Sequence, residues 1–411
     1  MNHTLPDTHQ NAWSLASIQL AGATSLPVLA ASVLLLQQNN LATSLLTLLA
    51  ANVLLFFIRL GIVYMSYGHR ASTLDIAKDY VGNLGSYPIA ILLIASTIAW
   101  YTAQTTLASN SLTNLIPLPE IPGINRFIQI AALLGIVSTL LCMEGIVVLK
   151  WLSLISFPIL LLAFLGAIFT TPNPTLTDGP ITLSFPGLGI VLGTNLGVTA
   201  DLPTFFRHSA SRRTSVYALL IIQVFSLLIG IGGLYIATIL NPWFGISNAP
   251  LDAVHPLRTL LIILIFISVI CANVVNVYSA SVGWELVAPA LAGRKEYLLL
   301  GLGLTTIFIL VANIFSMNFL LNATDNGLVN LCLILLVGYV IRLLTKHPPS
   351  LFLQMTYLLA WLASTTLNTL QFFNVLLGNN SPLVIGFGVI LAVVGIGLAV
   401  QKLPRLVLGG K

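Results

Sequence analysis

The chain has 411 residues, of which 57% are hydrophobic and only 7% charged, and its mean hydropathy is +1.00. That composition excludes a water-soluble domain of this length and points to an integral protein of a lipid bilayer. The net charge of +5 traces to loop residues that orient membrane spans, which excludes a nucleic-acid footprint.

Twelve windows of roughly 20 apolar residues are each long enough to cross a hydrocarbon core of about 30 Å. They start near Trp13, Leu41, Tyr87, Arg126, Trp151, Ser184, Ser215, Leu257, Tyr297, Phe319, Leu351 and Leu383. An even number of spans puts both termini on one side. With that side cytoplasmic, all 16 basic residues except Arg126 and Arg258 fall at or near the inner face, Arg59 among them, while Glu120, Asp178 and Asp252 occupy outer loops. The expected location is a plasma membrane of the bacterial inner-membrane type. The opening MNHTLPDTHQ has no basic residue and the first apolar segment is too long for a signal-peptide core, so that segment is expected to remain as a span. No soluble domain interrupts residues 1–411, and the sequence does not specify an oligomer.

Span 1 reads IQLAGATSLPVLAASVLL, and Gly22, Thr24, Ser25 and Pro27 interrupt it. Freed backbone at membrane depth is tolerated where it is buried in protein or lines a cavity. The hydroxyls can replace lost backbone partners or offer oxygens to a cation, and both readings stay open. After span 2, ASTLDIAKDYVGNLGSYP predicts a short interfacial helix capped by Ser72 and ended at Gly82.

In span 3, Trp100 and Gln104 are four apart and share a helix face. An indole offers a π face, and a primary amide offers a donor and an acceptor in one plane, a combination that suits a planar heterocycle with amide-like edges. The alternative is core packing for Trp100 and an interhelical hydrogen bond for Gln104.

Span 6 reads SFPGLGIVLGTNLGVTADLPTFFRHS. Gly187, Gly189, Gly193 and Gly197 permit close backbone approach or an unwound segment; a broken helix would offer Gly193 to Thr199 for backbone contacts, with Asn195 and the Gly197 backbone facing a ligand and Pro203 beginning the exit. Asp201 is a coupling or gating candidate, or else an N-cap or the ion-pair partner of Arg207, Arg212 or Arg213. Span 8 carries Asn273, Asn276 and Glu285. Such polar groups are costly in lipid and should face protein or a watery path. Asn276 is a candidate for a substrate edge, with Asn273 and Glu285 as coupling or gating candidates; the competing readings are interhelical glue and an interfacial carboxylate. Asp325 in span 10 is a further gate candidate or an interfacial cap.

Five crossings reverse the chain's direction, so residues 13–172 and 184–345 read as two inverted five-helix repeats, with two more helices over 349–402. The paired acids, metal-ligand clusters and nucleophile–base pairs of an intramembrane enzyme are not seen, and all six histidines lie outside or at the edges of spans. Cys142, Cys271 and Cys332 lack the spacing of a zinc site. A channel filter is also missing.

The break in span 1, the Trp100–Gln104 pair, the span 6 ending Pro203-x-Phe205-x-Arg207 and the Asn276 run resemble the nucleobase:cation symporter family, which includes cytosine permeases and hydantoin transporters. The resemblance covers roughly spans 1 to 10. It implies an all-α membrane protein of about twelve transmembrane helices, with a five-plus-five inverted repeat, helices 1 and 6 broken and two peripheral helices. It implies substrate between spans 1, 3, 6 and 8, with Trp100 stacking on the ring, Gln104 and Asn276 bonding its edges and Asn195 facing it. No cofactor is implied beyond a co-transported cation. Sodium-coupled members use a Ser/Thr pair on span 8, and the matching positions here are Ile270 and Cys271, so H+ is favoured over Na+, with Asp201 or Glu285 as carrier. The expected function is cation-coupled import of a cytosine-like nucleobase by alternating access; an amino-acid or other organic-solute permease of the same fold is the alternative.

Overall fold

The computed structural model describes residues 9–67, 71–116, 119, 121–143, 145–170, 180–237, 256–289, 294–311, 317–372 and 382–408. Arg70, Glu120, Asp178, Asp252 and Lys411 of the charge pattern lie outside this set. The described helices are α1 (Ala12–Ile18), a π-helical segment (Gln19–Thr24), α2 (Ser25–Gln38), α3 (Leu41–Tyr67), α4 (Thr73–Leu115), α5 (Arg126–Cys142), α6 (Ile146–Thr170) and α7 (Phe185–Ala200). They continue with α8 (Leu202–Phe206), α9 (Arg212–Ile236), α10 (Pro256–Val287), α11 (Arg294–Val311), α12 (Met317–Thr345), α13 (Leu351–Phe372) and α14 (Pro382–Leu408).

Among the described residues, seven helices are long and apolar enough to cross a membrane by length and composition, and Val28–Gln38, Arg126–Cys142 and Phe185–Ala200 are shorter apolar helices. Large apolar side chains such as Leu162 and Phe169 point outward, 69% and 85% exposed. That surface belongs in acyl chains, since a water-facing protein rarely presents so much of it.

The first crossing breaks without becoming extended. Its backbone passes from α1 through the π-helical segment into α2. Pro27 has no N–H to give to the preceding turn, and a π register absorbs that lost bond and shifts the helix face. Gly22 lies in this segment against α10, where an added Cβ would clash with Val275 Cγ2 and meet the Cys271 carbonyl oxygen at 3.0 Å. Glycine is needed there for close approach.

The sixth crossing breaks after the glycine stretch. Gly193 to Thr199 stay helical within α7, and the break falls at Asp201 (φ −96, ψ 0). Pro203 decides this position, because it lacks an N–H and its ring would clash with the carbonyl four residues back in a continuous helix. Of the two readings of the glycines, close approach is the one seen, Gly197 lying against Asp325.

The short helix predicted after span 2 opens α4. Ser72 and Asp75 form a reciprocal capping box. Gly82 then turns the chain with φ 75, a left-handed conformation that glycine adopts without steric cost. Beyond it, α4 runs on as the third crossing and packs along α10, while α13 and α14 pack on each other and against α12.

Arg59 departs from the expectation of an inner-face charge. It sits within α3 at 2% exposure, bonded to side chains of α7 and α9. Counting loop charges does not separate an arginine near a helix end from one turned into the bundle.

Candidate functional site

The α4–α10 contact brings the span 3 and span 8 polar groups together. Asn276 Nδ2 donates to Gln104 Oε1 at 2.9 Å, and Trp100 lies one turn away on the same wall. Gly22 of the π-helical segment and Gly197 of α7 also line this space. Between them is a cavity of about 60 Å³, room for roughly four waters.

Asp201 borders the same cavity. Its Oδ1 accepts from Thr73 Oγ1 at 3.1 Å and Thr204 Oγ1 at 2.6 Å, and Ser279 is within hydrogen-bonding reach. Thr73 Oγ1 also lies 3.1 Å from the Ala200 carbonyl oxygen. The carboxylate therefore ties the start of α4 to the break between α7 and α8. It occupies the N-cap position of α8 but makes no side-chain cap bond. Of the arginines named as possible partners, Arg207 donates to the Tyr278 hydroxyl at 3.4 Å and Arg212 lies over the Tyr64 ring at 4.2 Å.

Other predicted residues lie apart from the cavity. Asn195 faces the far side of α7, where its Oδ1 accepts from Arg59 at 3.0 Å and its Nδ2 donates to the Val191 carbonyl at 2.9 Å. Asn273 is fully buried and donates to Thr105 Oγ1 at 3.0 Å. Glu285 is exposed near the end of α10. Ser25 lies in α2, and its side chain is outside the described residues, as are those of Thr24 and Pro27.

Asp325 gains a place that the sequence only hinted at. Its Oδ1 would clash with a Cβ at Gly197, and it is within hydrogen-bonding reach of Trp100. A lone carboxylate inside an apolar crossing was the available signal. Tyr278 of α10 is a further residue of this region. Its ring lies 5.4 Å from Phe205 and 6.4 Å from Tyr297, and its hydroxyl is 3.0 Å from His208 Nε2.

The segment before α1 pairs with the loop after α8: Gln10 N donates to the His208 carbonyl at 2.8 Å, and Ala210 N donates to the Gln10 carbonyl at 3.3 Å. Burial, with a smaller push from Arg207, holds the His208 imidazole down to about 4.

Two broken crossings set against continuous α4 and α10 define an all-α membrane protein with the five-plus-five inverted-repeat fold found in transporters. Among solved structures, the chain is similar to a substrate-bound, outward-open Na+-coupled sialic acid symporter (TM-score 0.66, 14% identity, 96% of this chain and 92% of that one). It is also similar to an inward-facing conformation of Mhp1 (TM-score 0.56, 15% identity, 96% and 88%). A manganese transporter of Eremococcus coleocola gives TM-score 0.58 at 13% identity over 98% and 97% of the two chains. No protein-family model and no curated protein sequence matches the chain.

Proposed function

We propose that the protein is a secondary transporter that carries a planar nitrogen heterocycle of the nucleobase class, coupled to a cation gradient. The observation that carries this reading is the convergence of Trp100, Gln104 and Asn276 on one cavity bounded by the broken crossings. The indole supplies a stacking face, and the two amides supply donors and acceptors for ring edges. Substrate would take over the bond that Gln104 and Asn276 make to each other, so loading and wall movement are linked. Rocking of the broken crossings against α4 and α10 would then expose the site to each side in turn.

Of the two carboxylates expected to couple transport to H+, Asp201 borders the cavity while Glu285 is exposed. Asp201 is therefore the proposed coupling group, its three hydroxyl neighbours allowing charged and protonated forms to exchange donors for acceptors. Residues 13–172 and 184–345 form the proposed repeats, and the plasma membrane is the proposed location. The sialic acid and manganese transporters of similar fold indicate that this architecture accepts unlike cargoes, which keeps an amino-acid or other organic-solute permease as the second reading.

A thermal-shift screen of the purified protein against purines, pyrimidines, hydantoins and amino acids, with and without sodium, tests the assignment. Stabilisation by a base that is lost in Trp100→Ala is expected. A response to leucine alone, or normal base binding by Trp100→Ala, would overturn it.

A further inference from the structure

Behind α7, away from the heterocycle cavity, Arg59 forms the centre of a second polar site. Its Nε donates to Thr199 Oγ1 at 3.3 Å, and its terminal nitrogens donate to Gln223 Oε1 and Asn195 Oδ1, each at 3.0 Å. Every one of these partners is a neutral oxygen. They answer the directionality of the guanidinium and leave its charge uncompensated.

The partners are themselves fixed. Gln223 Nε2 donates to the Asn52 carbonyl at 2.6 Å, and Asn52 Nδ2 returns a bond to the Gln223 carbonyl at 3.3 Å. Among the described residues no carboxylate pairs with Arg59; the ionisable group beside it is Cys332 of α12, which is uncharged in its thiol form. An isolated cation taken out of water is strongly disfavoured unless something neutralises it.

Arg59, Asn195, Gln223, Asn52 and Ser226 line a cavity of about 10 Å³, room for about one small sphere. The Ser226 hydroxyl is 3% exposed and has no hydrogen-bond partner among the described residues. A guanidinium and an unanswered hydroxyl donor thus border one space that a polyatomic anion would overfill. We propose that this cavity binds a single monoatomic anion of the halide class, chloride under ordinary conditions, held by Arg59 and Ser226. The ion would neutralise Arg59 and bind α3, α7 and α9 into one unit. It would act apart from the heterocycle site, on the opposite side of α7.

The test uses the purified full-length protein, with sodium gluconate exchanged stepwise for sodium chloride at constant sodium and ionic strength. A saturable rise in melting temperature is expected with chloride and bromide and not with sulfate. Ser226→Ala should raise the half-saturating chloride concentration about ten-fold, the loss of one hydrogen bond to a charged group. Arg59→Gln should abolish the response. Should that variant fail to fold, bromide-soaked crystals decide: an anomalous peak between Arg59 and Ser226 supports the site. Identical melting in gluconate and chloride, an unchanged half-saturation in Ser226→Ala, or a bromide-soaked crystal without that peak would overturn it.

Discussion

Asn276 and Gln104, 172 residues apart in sequence, are joined by a 2.9 Å hydrogen bond from the asparagine Nδ2 to the glutamine Oε1. The bond spans α4 and α10 and forms one wall of the cavity proposed to receive substrate. Two amides that satisfy each other form a site that is stable without ligand and ready to exchange partners.

That relationship predicts non-additive mutants. Gln104→Leu and Asn276→Leu should each weaken base binding by about ten-fold or more, since each removes one of the two amides proposed to bond the ring edges. The double variant should fall short of the product of the single effects by a coupling of about 1 kcal/mol. Binding titrations on the four proteins of the cycle measure this directly, and strictly additive effects would contradict it.

Close approach at Gly22 predicts a selective loss of stability. Gly22→Ala places a Cβ against the Cys271 carbonyl and Val275, an overpacking that costs about 1–3 kcal/mol. Gly193→Ala is the control, because a Cβ there meets nothing within 4 Å and replaces a weak helix former with a strong one, a gain of up to about 1 kcal/mol. Melting temperatures should move in opposite directions.

Coupling through Asp201 predicts a separation of binding from accumulation. In proteoliposomes Asp201→Asn should still exchange substrate across the membrane but lose uptake driven by a proton gradient. Thr73→Val, which removes one of the hydroxyls on that carboxylate, should weaken the same response while keeping substrate affinity. Gradient-driven accumulation at the wild-type level by Asp201→Asn would reassign the coupling group.

The loop after α8 predicts acid-sensitive stability. His208 is held down to about 4 by burial and by Arg207, below the ordinary histidine value of about 6.5. The unfolded chain therefore binds more protons there between these values, and stability falls as pH drops from about 6.5 toward about 4. Melting temperature should decline over that window, and His208→Gln should flatten the decline. A pH profile unchanged by the substitution would remove His208 as its cause.

Much of this arrangement was legible in the sequence because helical geometry fixes what happens within one crossing. Apolar windows marked the crossings; the spacing of Trp100 and Gln104 put them on one face, and Gly22 and Pro27 marked a break. Ser72 and Gly82 marked the ends of the short helix that opens α4.

Helical period alone did not give the relations between crossings, and the meeting of spans 1, 3, 6 and 8 was expected only from the family resemblance. A helix pattern records which residues share a face, but not which neighbour that face meets. Asn195 and Gly197 are two residues apart on α7, so they point to different sides, and packing alone decided that Asn195 meets Arg59 while Gly197 meets the cavity and Asp325. Likewise the glycines named a place where backbones come close, and Pro203 determined that the break itself falls at Asp201. Composition and period determined the crossings and their polar faces; the tertiary structure decided which of those faces meet, because that choice depends on steric fit and charge between helices distant in the chain.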